Sequence, residues 1–252
     1  MNVMTICHAD DWVGTHLKRF VYYAMSKIPD VKLYLLVPTT GRDDPAIRAH
    51  LEKVGPDYFR DIKFVKKQEI QGRLLYYDLL RSSLLDIFGL DEGLYADPDI
   101  DILSDLTHLE TTAPAADMLW VPNVLPMDLV PKALQRNGMD PEGPYMEEGF
   151  IYMRRSLKDD CEHVLNHKSI DFNSFAPGME MWNIVCRTMN CYMLPQEYNV
   201  TSWGHKYFGK AHSIHFTGPL PKQWRMNISY STKLPRTMLV EPTPVEYPEI
   251  DL

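Results

Sequence analysis

The first hundred residues alternate short apolar runs with amphipathic stretches, and this alternation restricts the fold more than any other feature of the chain. Residues 2–9 (NVMTICHA), 31–38 (VKLYLLVP), 61–67 (DIKFVKK) and 93–96 (GLYA) have the length and side-chain type of strands. After the first run, Leu17, Phe20, Val21, Ala24, Met25 and Ile28 fall at i, i+3, i+4, i+7, i+8 and i+11, which gives one apolar helix face. A second helix is expected from Asp44, its cap, with Pro45 at the first position and Gly55 just past the end. A third is expected over 72–88 (GRLLYYDLLRSSLLDIF), closed by Gly89. Strand–helix–strand alternation at this spacing predicts an α/β fold with a mostly parallel, Rossmann-like central sheet and right-handed crossovers. In such sheets ligands bind at the carboxyl ends of the strands.

The second half is less regular. Residues 117–122 and 149–155 read as strands joined through a helix-like 127–138, residues 178–190 as a helix, and 213–218 as a late strand. The Pro-containing end reads as a tail over 226–252, packed on the surface or partly disordered, leaving one domain over 1–225. A chain of 252 residues that is 45% hydrophobic can bury a sizeable core. Its net charge of −8 argues against a general nucleic-acid binder, which needs basic stripes. Cys7, Cys161, Cys186 and Cys191 show neither zinc spacing nor a dense pairing pattern, so a reduced, cytoplasmic protein is expected. No apolar run is long enough for a membrane span and no secretory leader is evident, so the sequons at Asn199 and Asn227 read as coincidental.

The fourth strand runs directly into 94–103 (LYADPDIDIL), where Asp97, Asp99 and Asp101 occupy every second position. Strand periodicity would point all three carboxylates to one side, and like charges so placed repel unless a cation lies among them. Two readings stand. Asp and Pro form turns, so the stretch can be a charged turn and nothing more. Alternatively the carboxylates hold a divalent ion, its shell completed by water and substrate phosphates. A calcium loop fits poorly, because Ile102 and His108 stand where it needs Gly and Glu. The metal reading requires a third ligand and phosphate-binding cations elsewhere. Residues 215–224 (HFTGPLPKQW) offer His215, a turn at Gly218 and Pro219, and Lys222.

Taken together, LYADPDIDILSDL and HFTGPLPKQW resemble segments of the GT-A glycosyltransferases. They are most similar to glycosyltransferase family 8, the glycogenin and lipopolysaccharide galactosyltransferase group, with its patterns LYLDxDxxxxxDL and HFxGxxKPW. The resemblance takes in HADDWVGTHL (8–17), GRLLYYDLL (72–80) and LPQEYNV (194–200), in the family's order over about residues 1 to 225. It implies the GT-A fold, with Asp97 and Asp99 as the DxD pair and His215 as the third metal ligand. Lys222 would contact the donor diphosphate, with Gly218 in the same segment also on the donor. Asp10 would contact the base and Arg73 the nucleotide-sugar. Asp101 has no family role and reads as a solvated or capping carboxylate. The chain departs from the pattern in places. Val13 replaces a base-stacking Tyr, for which Trp12 can substitute, and Lys222 lies one residue further from the His. The family's FNSGV becomes MEEGF (146–150), and its DQxxLN becomes GMEMWN (178–183). Those segments contact the donor sugar and acceptor.

The resemblance implies a metal-dependent glycosyltransferase of hexosyl type, with manganese or magnesium as the ion. The donor would be a nucleoside-diphosphate sugar, a UDP-sugar by preference, and the acceptor a hydroxyl of a glycan or another molecule. Retention of configuration is favoured. Such chemistry needs positive charge at the leaving diphosphate and a carboxylate near the anomeric carbon or acceptor hydroxyl. Glu147, Glu148 and Glu180 are the candidate catalytic carboxylates; Glu180 also resembles the acid of the GEDW helix in inverting GT-A enzymes. Two rivals are a GT-A-like domain that binds carbohydrate or nucleotide without turnover, and a metal-dependent phosphohydrolase.

Overall fold

The computed structural model describes residues 1–7, 13–39, 49, 51–52, 54–66, 73–122, 129–173, 177–201 and 209–216. Asp10, Trp12, Gly218, Lys222 and the segment 226–252 lie outside the described residues. The expected alternation is present. Strands β1 (Asn2–Ile6), β2 (Lys32–Thr39), β3 (Phe59–Lys66) and β4 (Gly93–Ala96) form the first half of the sheet. Helix α1 (Val13–Lys27) lies between β1 and β2, and α2 (Arg73–Ser82) and α3 (Leu84–Phe88) between β3 and β4. Residues 49, 51–52 and 54 are helical, and Gly55 follows at φ 91°, a conformation that favours glycine.

The strands run in the order β3-β2-β1-β4, and every pair among them is parallel. The chain moves outward from β1 through β2 to β3 and then returns to lay β4 on β1's other side. That reversal opens a crevice between the carboxyl ends of β1 and β4, the switch point at which sheets of this type bind ligands.

The second half adds antiparallel pairing that the sequence reading did not anticipate. β5 (Ile100–Ile102) follows the aspartates, and β6 (Met118–Pro122) and β7 (Met146–Met153) come next, with α4 (Leu129–Arg136) between them. α5 (Lys158–His167), α6 (Pro177–Thr188), β8 (Cys191–Met193), β9 (Val200–Thr201) and β10 (Ser213–His215) complete the described elements. β7 is antiparallel to β4 and to β6, and β8 is parallel to β6, which closes a seven-stranded sheet in the order β3-β2-β1-β4-β7-β6-β8. A small second sheet, β5-β10-β9, sits beside it.

Apolar side chains alternate across the main sheet into two cores. Val3, Leu33 and Leu35 face α1, where Leu17, Phe20, Val21, Ala24 and Ile28 are buried. Met4, Leu36 and Tyr95 face the other way, onto Leu84, Leu85, Trp182 and Ile184. Met25, expected on the buried face of α1, is 46% exposed, so the apolar stripe is narrower than the sequence spacing implied. The helix expected over 72–88 is interrupted at Ser83. The hydroxyls of Ser82 and Ser83 both donate back to the Leu79 carbonyl, and such back-bonding bends helices. Gly89 closes α3 in the left-handed conformation, as expected.

Candidate functional site

β4 ends at Ala96, and the next four residues form a turn rather than a continuing strand. Ile100 donates its N–H to the Asp97 carbonyl (3.0 Å), with Pro98 at the second position, where its fixed φ suits a turn. The Asp97 N–H is held by the Gly149 carbonyl of β7 (2.9 Å), and the Asp99 carbonyl accepts the Phe216 N–H (3.1 Å). β10 pairs with β5 so that His215 lies opposite Ile100. The turn therefore brings the Asp97 and Asp99 side chains together under the His215 ring. One ligand atom from each of these residues lies within 4.8 Å of the others. His215 Nε2 is 3.2 Å from Asp99 Oδ1 and 3.5 Å from Asp97 Oδ2.

Asp101 does not join them. The turn breaks the period-2 register, and Asp101 is buried (2% exposed) in a two-oxygen contact with the Arg19 Nε of α1 at 3.0 and 2.9 Å. The expectation of a solvated or capping carboxylate is thus corrected: Asp101 is one half of a buried ion pair that ties α1 to β5.

Glu147 supports the imidazole from behind. Its Oε1 is 3.1 Å from His215 Nδ1, off the line of a well-formed hydrogen bond. Its Oε2 accepts the Gly149 N–H (3.1 Å) and the Asn199 side-chain amide, so both carboxylate oxygens are fixed. A carboxylate on one ring nitrogen keeps the proton there and leaves the other nitrogen's lone pair facing outward, as in carboxylate–histidine–metal arrangements. A bulge makes this placement. The β6–β7 ladder runs Trp120↔Ile151 and then Val121↔Glu147, so β7 carries extra residues exactly where it passes His215. Within that bulge Gly149 is required by space: a Cβ there would lie 2.8 Å from both Asp97 Oδ2 and His215 Nδ1.

Arg81, on α2, closes the other side. Its Nη2 donates to Asp97 Oδ1 (3.1 Å), its Nε to the Tyr95 hydroxyl (2.9 Å) and its Nη1 to Asp78 Oδ1 (2.5 Å). The Tyr95 hydroxyl also donates to Asp97 Oδ1. Arg73, the basic residue singled out from sequence, is the first residue of the same helix. Arg81 lies more than two turns further on, about 12 Å along the axis at 1.5 Å per residue. Arg81, whose guanidinium reaches Asp97, is not among the residues singled out from sequence. Its signal was in the sequence: Asp78 and Arg81 share a helix face at i, i+3.

Burial pushes the Asp97 carboxyl upward while Arg81 and His215 pull it back, and the net direction is up. Burial would lower His215, but the Glu147 and Asp99 carboxylates outweigh it and hold the imidazole well above its ordinary value. Burial, with Asp78 and Glu147 nearby, pushes Glu148 up to about 8. Carboxyls outnumber bases among these groups, a field that favours a divalent cation. The donor set of two carboxylates and one imidazole suits manganese, with magnesium as a harder alternative. A His215 nitrogen already facing the aspartates and a glycine cradle beside them fit such an ion. Glu180, by contrast, is buried on α6, where it accepts from Arg136 (2.6 Å) and from the Asp171 N–H (3.1 Å). Neither of these two partners belongs to the Asp97 group.

No protein-family model matches the chain, and no curated protein matches it in sequence. Solved structures do. A galactosyltransferase, LgtC, in complex with donor and acceptor sugar analogues superposes with a TM-score of 0.61 at 14% identity, covering 87% of this chain and 88% of that one. The bifunctional glycosyltransferase WbbM gives 0.59 at 11% identity over 92% of this chain and 50% of its own. Mouse xyloside xylosyltransferase 1 gives 0.56 at 10% identity over 86% and 98%. At these identities the likeness is one of fold. The chain has the GT-A fold of these glycosyltransferases, with Asp97, Asp99 and His215 gathered at the carboxyl end of its switch-point strand.

Proposed function

We propose that the protein is a metal-dependent glycosyltransferase that moves a sugar from a nucleoside-diphosphate sugar, a UDP-sugar by preference, to an acceptor hydroxyl with retention of configuration. The observation that carries this reading is the convergence of Asp97, Asp99 and His215 at the switch point of a GT-A fold. When bound, a manganese ion would supply positive charge at the leaving diphosphate, where negative charge develops. The protein's part is to hold and orient. Asp97 and Asp99 present hard oxygens, and His215 presents Nε2 because Glu147 occupies the side of Nδ1. Arg81 and Tyr95 clamp Asp97 so that only its Oδ2 is turned toward the imidazole. Lys222 and Gly218 are assigned to the diphosphate and Asp10 and Trp12 to the base on sequence resemblance. Glu147 serves better as the residue that positions His215 than as an acid or base, since both of its oxygens are engaged. A glycan acceptor is assigned on the same resemblance. Among the described residues no helix is long and apolar enough to cross a membrane.

The test is a panel of nucleotide-sugars assayed for hydrolysis and transfer with and without manganese. One UDP-sugar should be turned over, chelator should abolish the reaction and manganese should restore it. Asp99→Asn keeps the shape but removes a ligand charge, and should cost on the order of a hundredfold in rate. Turnover indifferent to chelator and to Asp99→Asn would defeat the proposal. Saturable binding without turnover would favour a carbohydrate-binding domain.

A further inference from the structure

Helix α5 has one buried side and one side in water. Cys161 and Val164 are buried, while Asp159, His163 and His167, at every fourth position, form an exposed row along its outer side. The His163 and His167 ring centres lie 4.5 Å apart, with their planes tilted by 48°. Residues at i and i+4 are neighbours on a helix surface, so the two imidazoles share one patch of solvent. Neither ring has a hydrogen bond or ion pair among the described residues. The neighbouring acids are engaged elsewhere: Asp160 with Arg155 at 2.6 Å and Glu162 with Lys158 at 3.9 Å.

The separation is one that two imidazoles take on a single ion. Metal–nitrogen bonds of about 2.1 Å place each ring centre about 3.2 Å from the ion, so cis ligands at right angles have centres about 4.5 Å apart. A tetrahedral angle needs about 5.2 Å, a small side-chain adjustment away. Two histidines one turn apart on one helix face are a recurring zinc-binding spacing. His167 is also the last residue of α5. The carbonyls that end a helix carry partial negative charge, which favours a cation there. Imidazole nitrogen suits nickel, copper and zinc, whereas the carboxylate-rich Asp97 group suits manganese or magnesium.

We propose that His163 and His167 form a second metal site, separate from the Asp97 group, which holds one nickel, copper or zinc ion as a two-imidazole chelate on the outer side of α5. The helix supplies two ligands, so the ion keeps its remaining coordination positions open to water or to an external ligand. Its hold comes from chelation: once one nitrogen binds, the other is already within reach. Loading this site leaves the Asp97 group unaltered, since α5 turns its opposite side, through Cys161 and Val164, toward the core. The inference depends on α5 alone and not on the glycosyltransferase reading.

Equilibrium dialysis of the whole protein against nickel, and separately against zinc, at neutral pH tests the site. Wild type and Asp99→Asn should share a micromolar site whose affinity agrees within about twofold, because the two metal groups are independent. His163→Ala and His167→Ala should each weaken that site by about a hundredfold through loss of chelation, with helix content unchanged by circular dichroism. Excess manganese should not displace nickel from Asp99→Asn, because manganese stands lowest in affinity for such sites. Asp159→His combined with His167→Ala sets a new pair one turn earlier and should restore binding to within about tenfold of wild type. Nickel affinity equal in wild type and His163→Ala would overturn the proposal, and so would displacement by manganese. A combined variant that binds no better than His167→Ala would overturn the chelate geometry. The manganese affinity of His163→Ala should equal that of wild type, and a loss there would overturn the separation of the two sites.

Discussion

Adding a single methyl group at Gly149 should disable the metal group while the fold survives. The added Cβ would stand 2.8 Å from Asp97 Oδ2 and from His215 Nδ1, whereas ordinary contacts begin near 3.4 Å. Both side chains would have to retreat by about half an ångström or more, and neither is free to do so. Asp97 is clamped at its other oxygen by Arg81 and Tyr95, and the His215 ring is wedged between Asp99 and Glu147. Gly149 does not have a positive φ, so alanine suits the backbone and the strain falls on the ligands. Overpacking of this kind costs about 1–3 kcal/mol of stability. Misplacement of catalytic or ligating groups on the ångström scale costs on the order of a hundredfold. We therefore expect Gly149→Ala to bind manganese roughly 10- to 100-fold more weakly, equivalent to about 1.4–2.7 kcal/mol. Electron paramagnetic resonance of free manganese would measure the affinity, with urea denaturation as the control for folding. A variant with wild-type manganese affinity would refute the argument that Gly149 keeps room for the ligand pair.

Asp101→Asn should lower folding stability by about 2–4 kcal/mol, because it removes one charge of a buried ion pair, yet leave manganese affinity unchanged; urea midpoints and metal titration check both parts. Glu148, held near 8 against an ordinary 4.5, keeps a proton in the folded state that the unfolded chain has lost. Stability should therefore fall as pH rises through that window, by up to about 1.4 kcal/mol per pH unit, and Glu148→Gln should flatten the profile in urea denaturation. His215, raised above its ordinary value, contributes stability to the metal-free protein that is full below the ordinary histidine range and lost as pH rises through the folded value. Manganese needs the unprotonated nitrogen, so its affinity should strengthen with pH; calorimetry at pH 7 in two buffers of different ionisation enthalpy should show proton release, and none would refute the assignment of His215.

Much of this was legible before any coordinates. The four parallel strands and α1 follow from periodicity, and the Asp97, Asp99 and His215 group follows from two short motifs whose residues suit one ion. The parts that were not legible depend on pairings with no local signature. Asp101 looked like a third member of a carboxylate row because period 2 holds only while a strand continues, and Pro98 ends it. Its partner, Arg19, stands 82 positions earlier on a helix face. Arg81 carries no motif of its own, and only the helix phase delivers it to Asp97. Glu147 and Glu148 looked alike in sequence. The bulge in β7 sends one to the imidazole and the other to α2, and a bulge of that kind has no reliable sequence mark. The contact between Asp78 and Gly178 was invisible for the same reason. Each residue is unremarkable alone, and only their contact across the chain gives either a purpose.

The row of acids that began as a problem of repulsion is resolved by distributing the charges among different partners. Asp101 is neutralised permanently by Arg19, which removes it from the site and pins α1 against β5. Asp97 shares Arg81 with Asp78, so that one cation restrains two carboxylates without satisfying either completely. Asp99 faces the His215 imidazole, itself backed by Glu147. In the metal-free protein a protonated His215 can hold Asp99 and Asp97 together; a divalent ion would displace that proton and carry more charge into the same space. Neutralisation by the imidazole is thus reversible, whereas the Arg19 and Arg81 guanidinium groups that hold Asp101, Asp78 and one oxygen of Asp97 cannot give up a proton. That division lets the fold form before the ion arrives and reserves the ion's charge for a substrate.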